Sequence, residues 1–400
     1  MFTRLGTALQ GLSWQKPLQV LKNHNFILFL WLLIATITSI KQYFLNSYNN
    51  FNIYKFTFYH ALEGLNLSKA YPAEHLDTNH YGPLFSLLIV PFALLPDFLG
   101  QVTWQLSNVL FLYYAVKQLP LDDRKISFIY WIILNELITA MLSFQFNISI
   151  TAIIILSYAL IEKRKNFWAA FFILFGTFIK LYGIVGLAFF FFVKDKPKFV
   201  LYCIVWGGIL FLLPMIFFTP QYILQSYFDW YSSLMEKQSL NASLTSMQDI
   251  SLMGIVRRIS GIAAIPNLPF LVCGILVFAL PYLRIKEYGS SLFRLHYLAS
   301  VLIFTVIFSN SSESPTYIIA FAGVAIWFVL QSASIKPVFI FLFILALVLT
   351  SLSPTDIFPR FIRNEYIRPY SLKAFPCVLI WFVISYQLMT QKFSLKIGSV

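Results

Sequence analysis

Charged side chains are scarce in this sequence. Asp, Glu, Lys and Arg together make up 11% of its 400 residues, whereas hydrophobic residues make up 59%. A soluble globular domain is typically about 25% charged, because charge is what covers a surface in contact with water. The shortage therefore excludes a soluble fold and indicates a protein whose surface faces lipid.

Acidic residues are scarcer than basic ones, 16 against 29, which leaves a net charge of +13. The basic residues do not form one patch. They occur in short clusters between apolar runs, at 117–125, 162–165, 194–198 and 284–286. Such clusters are typical of the cytoplasmic loops of membrane proteins. Nucleic acid is therefore not a predicted partner.

Cysteine and the common cofactor motifs are also missing or nearly so. The three cysteines, Cys203, Cys273 and Cys377, have neither metal-ligand spacing nor a disulfide pattern. The sequence contains no Walker, GxGxxG, HExxH, GxSxG or CxxC motif. We predict no nucleotide, no metal and no other cofactor, so ATP-driven transport and soluble-type hydrolysis are unsupported.

Long apolar runs are what the sequence has in abundance. They predict an all-α polytopic membrane protein with about 11–13 transmembrane or re-entrant helices, because about 20 apolar residues cross a bilayer. We expect a cytoplasmic or interfacial segment at 1–25, one membrane domain at 26–390 and a cytoplasmic tail at 391–400, in the cell (inner) membrane. The runs lie at 26–43, 83–95, 98–117, 126–143, 146–161, 167–179, 182–193, 198–217, 264–284, 294–309, 318–332, 336–350 and 374–390.

The distribution of basic residues predicts which polar stretches lie outside. With the basic clusters cytoplasmic, the polar stretches 44–82, 218–260, 309–317 and 351–373 fall on the outer face. Runs 167–179 and 182–193 then form a hairpin that enters the membrane and returns, with Lys180 near its tip. A lysine at that depth is costly unless it meets an anion, such as a lipid phosphate or a carboxylate.

The first outer loop, 44–82, has the richest chemistry. Glu63, Glu74 and Asp77 are its carboxylates, and it also carries histidines, lysines and tyrosines. A carboxylate there could act as a general base, and a lysine or histidine could hold a phosphate. A helix over 51–63 is expected. The alternative is an ordinary solvated loop that covers the helix bundle. His75 and His80 lie beside Asp77 without metal-ligand spacing.

Other polar residues are weaker candidates. Glu136, inside an apolar run, is either a functional carboxylate or the partner of Lys180 or another buried cation. Glu313 is the only charge of the stretch 309–317. Arg257 and Arg258 close the long outer loop and either bind phosphate or mark an interface.

The order of several motifs resembles glycosyltransferase family 87, membrane enzymes of the GT-C type. The first loop contains NFNIYKFTFYHALEG, and a YGPLF…PFALLP stretch follows at 81–96. Trp104 and Asn108 come next, then a QxN turn at Gln145–Asn147 and a KxY hairpin at Lys180–Tyr182. The resemblance extends over roughly residues 45 to 330 and rests on the collinear order of these motifs.

The resemblance implies transfer of a hexose such as mannose. The donor would be a polyprenyl-phosphate sugar, the acceptor a lipid or glycan at the outer face, and an outer-loop carboxylate would deprotonate the acceptor. The aspartate expected in the loop motif falls here on Asn50, or on Asn52 in a shifted alignment. Asparagine cannot act as a base near neutral pH. We therefore expect the base to be Glu74, then Asp77, then Glu63, in that order.

Lys180, with Arg257 or Arg258, would hold the donor phosphate. Two alternatives come from other classes: a transporter or flippase of a lipid-linked substrate, and a non-catalytic relative that binds a polyprenyl lipid, which Asn50 favours. The full set of predicted substrate-binding residues is Asn50, Asn52, Tyr54, Lys55, His60, Tyr81, Gln145, Asn147, Lys180, Tyr182, Arg257, Arg258, Glu313 and Tyr317.

Overall fold

The computed structural model of the protein describes residues 19–246, 248–331 and 335–393. Within these ranges the regular elements are helices and none is a strand. Most of the predicted segment 1–25 and most of the predicted tail 391–400 lie outside the described residues. The all-helical architecture follows from the composition, since a helix satisfies its backbone hydrogen bonds internally and lipid cannot.

The α-helices are numbered in chain order. The first eight are α1 His24–Phe44, α2 Asn49–Glu63, α3 Phe85–Leu88, α4 Val90–Ala93, α5 Asp97–Lys117, α6 Asp123–Leu142, α7 Asn147–Glu162 and α8 Asn166–Ile179. A 3-10 helix at Leu181–Phe192 follows. The remaining α-helices are α9 Lys196–Leu212, α10 Pro220–Asn241, α11 Leu252–Ser260, α12 Leu268–Ala279, α13 Ser291–Ile307, α14 Tyr317–Val329, α15 Pro337–Leu345, α16 Arg360–Ile362 and α17 Phe375–Thr390.

Shorter helical pieces complete these elements. The 3-10 helices are Leu213–Ile216, Leu280–Leu283, Ile285–Glu287, Ser314–Thr316 and Leu372–Ala374, and the π-helices are Ala346–Leu352 and Arg363–Ile367. Four helical stretches are long and apolar enough to cross a membrane: His24–Phe44, Asp123–Leu142, Lys196–Ile216 and Leu372–Thr390. Other apolar helices are shorter, so the chain is an all-α polytopic membrane protein, as its composition predicts.

The hairpin expected around Lys180 is present. Helix α8 ends at Ile179, and the 3-10 helix that starts at Leu181 runs back along it. Glycine allows the two arms to touch, because a Cβ atom on Gly183 would lie 2.3 Å from the backbone carbon of Gly176. Further from the tip, a Cβ on Gly186 would lie 2.6 Å from Ile173. The close packing of the arms fixes Lys180 at the tip.

Two of the expected segments differ. The run 83–95 contains two four-residue helices rather than one longer piece. The stretch 218–260, expected to be a polar loop, is mostly helical and contains α10 and α11. Its low hydropathy favoured a loop, but α10 packs by its aromatic side: the Trp230 indole donates to the carbonyl oxygen of His80 at 2.8 Å. Helix α10 therefore packs against the first loop.

The stretch 351–373 is not an ordinary solvated loop either. Lys373 is buried, and its Nζ donates to both carboxylate oxygens of Glu136, at 3.0 and 3.1 Å. It also donates to Ser314 Oγ at 3.0 Å. Of the options left open for Glu136, pairing with Lys180 is therefore wrong, and pairing with another buried cation is correct. The pair ties α6 to the start of α17.

Candidate active site

A polar cavity lies at the end of the bundle where the hairpin tip, the α6–α7 turn and the first loop meet. Its volume is about 300 Å³, within the range of small-molecule sites. Segments far apart in sequence line it, including the chain between α13 and α14 and one face of α10. Its charged lining residues are Asp77, Lys180, Lys237 and Glu313, and its tyrosines are Tyr54, Tyr81 and Tyr182.

Lys180 is the cation at the centre of this arrangement. Its Nζ donates to Asn147 Oδ1 at 2.8 Å and lies 5.4 Å from the ring centre of Tyr81 and 5.1 Å from that of Tyr182. Among the residues that the structure describes, no carboxylate oxygen lies within 4.0 Å of this Nζ. An amide and two aromatic rings hold the ammonium without neutralising it, so it can still bind an anion.

Glu313 lines the same cavity as Lys180 and belongs to a polar network. Its Oε1 lies 3.8 Å from Lys237 Nζ, and its Oε2 accepts from the Gln145 amide at 3.5 Å. The Asn147 amide donates to Gln145 Oε1 and to Thr316 Oγ1, each at 3.3 Å. The QxN turn therefore orients both the cation of the hairpin tip and the carboxylate of the 309–317 stretch.

Of the three carboxylates expected to include the base, Asp77 alone lines the cavity. Glu74 and Asp77 were preferred to Glu63 because both lie nearer to Tyr81 in sequence, and Glu74 was placed first. A turn at 72–74 instead directs it toward α2, where its Oε2 bonds His60 Nε2 at 2.7 Å. Glu63 is exposed at the end of α2. Both are thus placed away from the cavity.

The structure brings Asp77 close to the position where the family motif expects an aspartate. Asn49 Oδ1 accepts a hydrogen bond from the backbone N–H of Leu76 at 2.7 Å, which joins the start of α2 to the loop. Asn50 follows Asn49 in the chain and Asp77 follows Leu76, and both of these residues line the cavity. The Asn50 amide itself donates to the carbonyl oxygen of Ser143 at 2.7 Å. A carboxylate therefore lines the same cavity as Asn50.

Two histidines of the first loop, His75 and His80, have lowered pKa values, which disfavours a role as charged phosphate ligands. His80 lines the cavity and bonds Ser233 Oγ at 2.8 Å and Thr78 Oγ1 at 3.1 Å. Burial, with Lys237 nearby, lowers the pKa of His80 to about 3, so it is neutral at physiological pH. Burial also lowers the pKa of His75, whose Nδ1 donates to the carbonyl oxygen of Asp77 at 2.5 Å.

One group of side chains in the described residues could hold a metal ion. His60, Glu74 and His75 each bring a ligand atom to within 4.8 Å of the others. Sequence spacing did not reveal this group, because its members come together through the turn that follows α2. It is separate from the cavity lining.

Several predicted binding residues lie elsewhere. Lys55 pairs with Asp97 at 2.6 Å. Tyr317 is fully buried and donates its hydroxyl to the carbonyl oxygen of Ile250 at 2.8 Å. Asn52 and His60 are also absent from the cavity lining, whereas Tyr54 reaches it and shares a 3.0 Å hydrogen bond with the Tyr81 hydroxyl. Lys237, which does line it, was missed because α10 was expected to be a loop.

Arg257 and Arg258 have different surroundings. Arg257 is buried, donates to Asp249 Oδ2 at 2.5 Å and to the carbonyl oxygen of Ile265 at 3.0 Å, and also bonds Asn267. Its charge is already paired with Asp249, and it does not line the cavity that contains Lys180. Arg258 lines a second cavity rather than the one that contains Lys180.

The Asp249–Arg257 pair makes a stability prediction. Asp249→Asn should lower the free energy of unfolding by about 3–5 kcal/mol, because Arg257 is left buried without its counter-charge. Thermal unfolding in detergent measures the change. Asp356→Asn is the control, since Asp356 is 87% exposed and pairs only loosely with its arginines. Equal melting temperatures for the two variants would contradict the assignment.

The fold and this cavity define a polytopic membrane protein with a charged, substrate-sized site at one end of its bundle. The model of the family described as Glycosyltransferase family 87 matches residues 79–309, more than half of the chain. The chain therefore belongs to glycosyltransferase family 87, a family of membrane glycosyltransferases. No curated protein and no solved structure matches it.

The matched range contains motif residues of two kinds. Trp104 and Asn108 are buried and join helices: the Asn108 Oδ1 accepts from Ser149 Oγ at 2.5 Å, and Trp104 stacks on Phe146. Lys180 and Gln145 line the cavity. The first-loop carboxylates and Glu313 lie outside the match. The family match therefore says nothing about these carboxylates, and the case for them rests on the geometry of the cavity.

Proposed function

We propose that the protein transfers a hexose from a polyprenyl-phosphate donor to a hydroxyl of a lipid or glycan acceptor. The observation that carries this proposal is that one cavity contains both Lys180 and Asp77. Lys180 is a cation to which the described residues supply no carboxylate partner, and Asp77 is a carboxylate at the cavity rim. Glycosyl transfer from a phosphate needs both functions, one for the leaving group and one for the acceptor proton.

In the proposed reaction the acceptor oxygen attacks the anomeric carbon of the donor sugar. The bond from that carbon to the phosphate oxygen breaks, and the electron pair leaves with the polyprenyl phosphate. Asp77 accepts the proton of the acceptor hydroxyl. Lys180 stabilises the charge that builds up on the phosphate, and Lys237 supports it from α10.

An apolar cavity beside the first supports a lipid-linked donor. It has a volume of about 280 Å³ and shares Leu181, Tyr182, Gln238, Ser309 and Asn310 with the polar cavity. Beyond them its walls are mainly apolar, with Leu271 and Phe308 among them. A phosphate near Lys180 could therefore keep its isoprenoid chain in an apolar groove. The donor sugar would occupy the polar side, among the tyrosines.

The proposed face and membrane follow from the charge distribution. The basic clusters at 162–165 and 194–198 indicate the cytoplasmic side. The cavity is built from segments expected on the opposite side, so the acceptor would be modified at the outer face of the cell (inner) membrane, in a multi-pass protein.

The test is a transfer assay with purified protein in nanodiscs. Radiolabelled polyprenyl-phosphate hexoses are supplied with a lipid extract as acceptor, and nucleotide sugars serve as control donors. We expect label to move into the acceptor from at least one polyprenyl-phosphate sugar and from no nucleotide sugar. Lipid binding without transfer from any donor would overturn the enzymatic proposal and favour a non-catalytic lipid-binding role.

A further inference from the structure

A second cavity, of about 280 Å³, is lined by an excess of basic residues. Arg258, Arg363, Arg368 and Lys373 contribute to its walls, together with four serines, and no aspartate or glutamate is among its lining residues. The arginines come from α11 and from the stretch 351–373. A cavity with four cations and no lining carboxylate has the composition of an anion site.

Carboxylates that lie outside the cavity lining neutralise only part of its positive charge. Lys373 is neutralised by Glu136. The Arg258 guanidinium donates to carbonyl oxygens, at 2.9 Å to Asp249 and 2.8 Å to Gln248, which satisfies its donors but not its charge. Among the described residues, Arg368 has no carboxylate oxygen within 4.0 Å.

Arg363 is a further lining cation of this cavity, and no carboxylate of the described residues pairs with it closely. It is 9% exposed, and its Nη1 donates to the carbonyl oxygen of Thr355 at 3.0 Å. The carboxylate oxygen nearest to it belongs to the exposed Asp356, at 3.9 Å. Its charge is therefore only weakly compensated, which favours an anion in the cavity.

The second cavity shares a wall with the first. Glu313 lines the first cavity and Ser314 the second, at the start of one 3-10 helix. The segment that follows α10 also borders both cavities: Gln248 lines the first cavity and Ser246 lines the second. A ligand in the second cavity therefore lies next to the site that contains Lys180.

We propose that the second cavity binds the phosphate group of an anionic lipid, as a site separate from the one around Lys180. A guanidinium group matches phosphate with two parallel hydrogen bonds. Exposed Arg368, which has no carboxylate partner among the described residues, can offer that pair, while Arg258 and Arg363 contribute positive charge. Under the proposed function, on which this step rests, the lipid is the acceptor: its phosphate is held by the arginines while its hydroxyl reaches the first cavity. The acceptor class is then a phospholipid or a glycan carried on one.

Direct binding tests the site independently of catalysis. The purified protein in neutral detergent is titrated with short-chain phosphatidylglycerol, with short-chain phosphatidylcholine and with inorganic phosphate. We expect phosphatidylglycerol to bind, and Arg368→Gln to weaken it by about tenfold or more, as expected for loss of a charge-assisted hydrogen bond. Arg368 is exposed, so this change should leave the fold intact.

Arg360→Gln is the matched control, because Arg360 lies in the same stretch, is 78% exposed on its side chain and does not line the cavity. Equal affinities of the two variants would overturn the site. Binding of inorganic phosphate without the lipid would overturn the lipid assignment. Lys180→Met separates the two proposals: lipid binding should persist in it whether or not sugar transfer is observed.

Discussion

Replacing Asp77 by asparagine should lower the rate of sugar transfer by about 10²–10⁴-fold, the usual contribution of a general base. Asparagine keeps the size and hydrogen bonding of the side chain but cannot take the acceptor proton. Asp77 is exposed at the cavity rim, and its Oδ1 accepts a hydrogen bond from the backbone N–H of Thr78 at 2.8 Å. The measurement is the initial rate of transfer at saturating donor.

Glu74→Gln is the control for this prediction. Glu74 bonds His60 and does not line the cavity, so its replacement should weaken the first loop without a comparable loss of turnover. Melting temperature and transfer rate are measured for both variants. A large fall in rate for Glu74→Gln with normal rates for Asp77→Asn would reassign the base to Glu74.

The double variant Asp77→Asn, Asn50→Asp extends the test. Asn50 and Asp77 line the same cavity on neighbouring segments that the Asn49–Leu76 hydrogen bond joins. If the cavity needs a carboxylate at this rim, whichever segment supplies it, the second change should restore part of the lost rate. A double variant as slow as Asp77→Asn alone would show that residue 50 cannot reach the acceptor.

The helical architecture was predictable from the sequence because lipid leaves few alternatives. An apolar run of sufficient length can only be a helix where backbone groups find no water. The arms around Lys180 were predictable for the same reason, as was the unusual position of a lysine between them. Glu313 and Gln145 could be singled out because polar residues are rare among apolar runs, although their contact could not.

The remaining parts depend on contacts between distant segments. Lys373 was assigned to a solvated loop because charge usually indicates water, yet the carboxylate 237 positions away in the chain allows it to be buried. Glu74 and Asp77 were preferred to Glu63 for their nearness to Tyr81, but sequence could not show that a turn directs Glu74 toward His60 while Asp77 lines the cavity. The second cavity combines Arg258 with arginines more than a hundred residues later, so no local pattern could reveal it.

Lys180→Met should lower the transfer rate by about 10²–10³-fold, the effect of removing one group that stabilises developing charge. The donor phosphate is a diester with one negative charge, and the leaving phosphate is a monoester with nearly two. The ammonium of Lys180, which has no carboxylate partner in the part of the chain that the structure describes, therefore interacts more strongly with the transition state than with the bound donor.

It follows that kcat should fall more than KM rises in the Lys180→Met variant, and that Lys180→Arg should retain more activity because it keeps the charge. Lys198→Met, at an exposed lysine outside the cavity lining, is the matched control and should leave both constants unchanged. A rise in KM alone would mean that Lys180 only binds the donor. Unchanged kinetics would mean that the phosphate leaves elsewhere, and the arginines of the second cavity would then be the groups to replace.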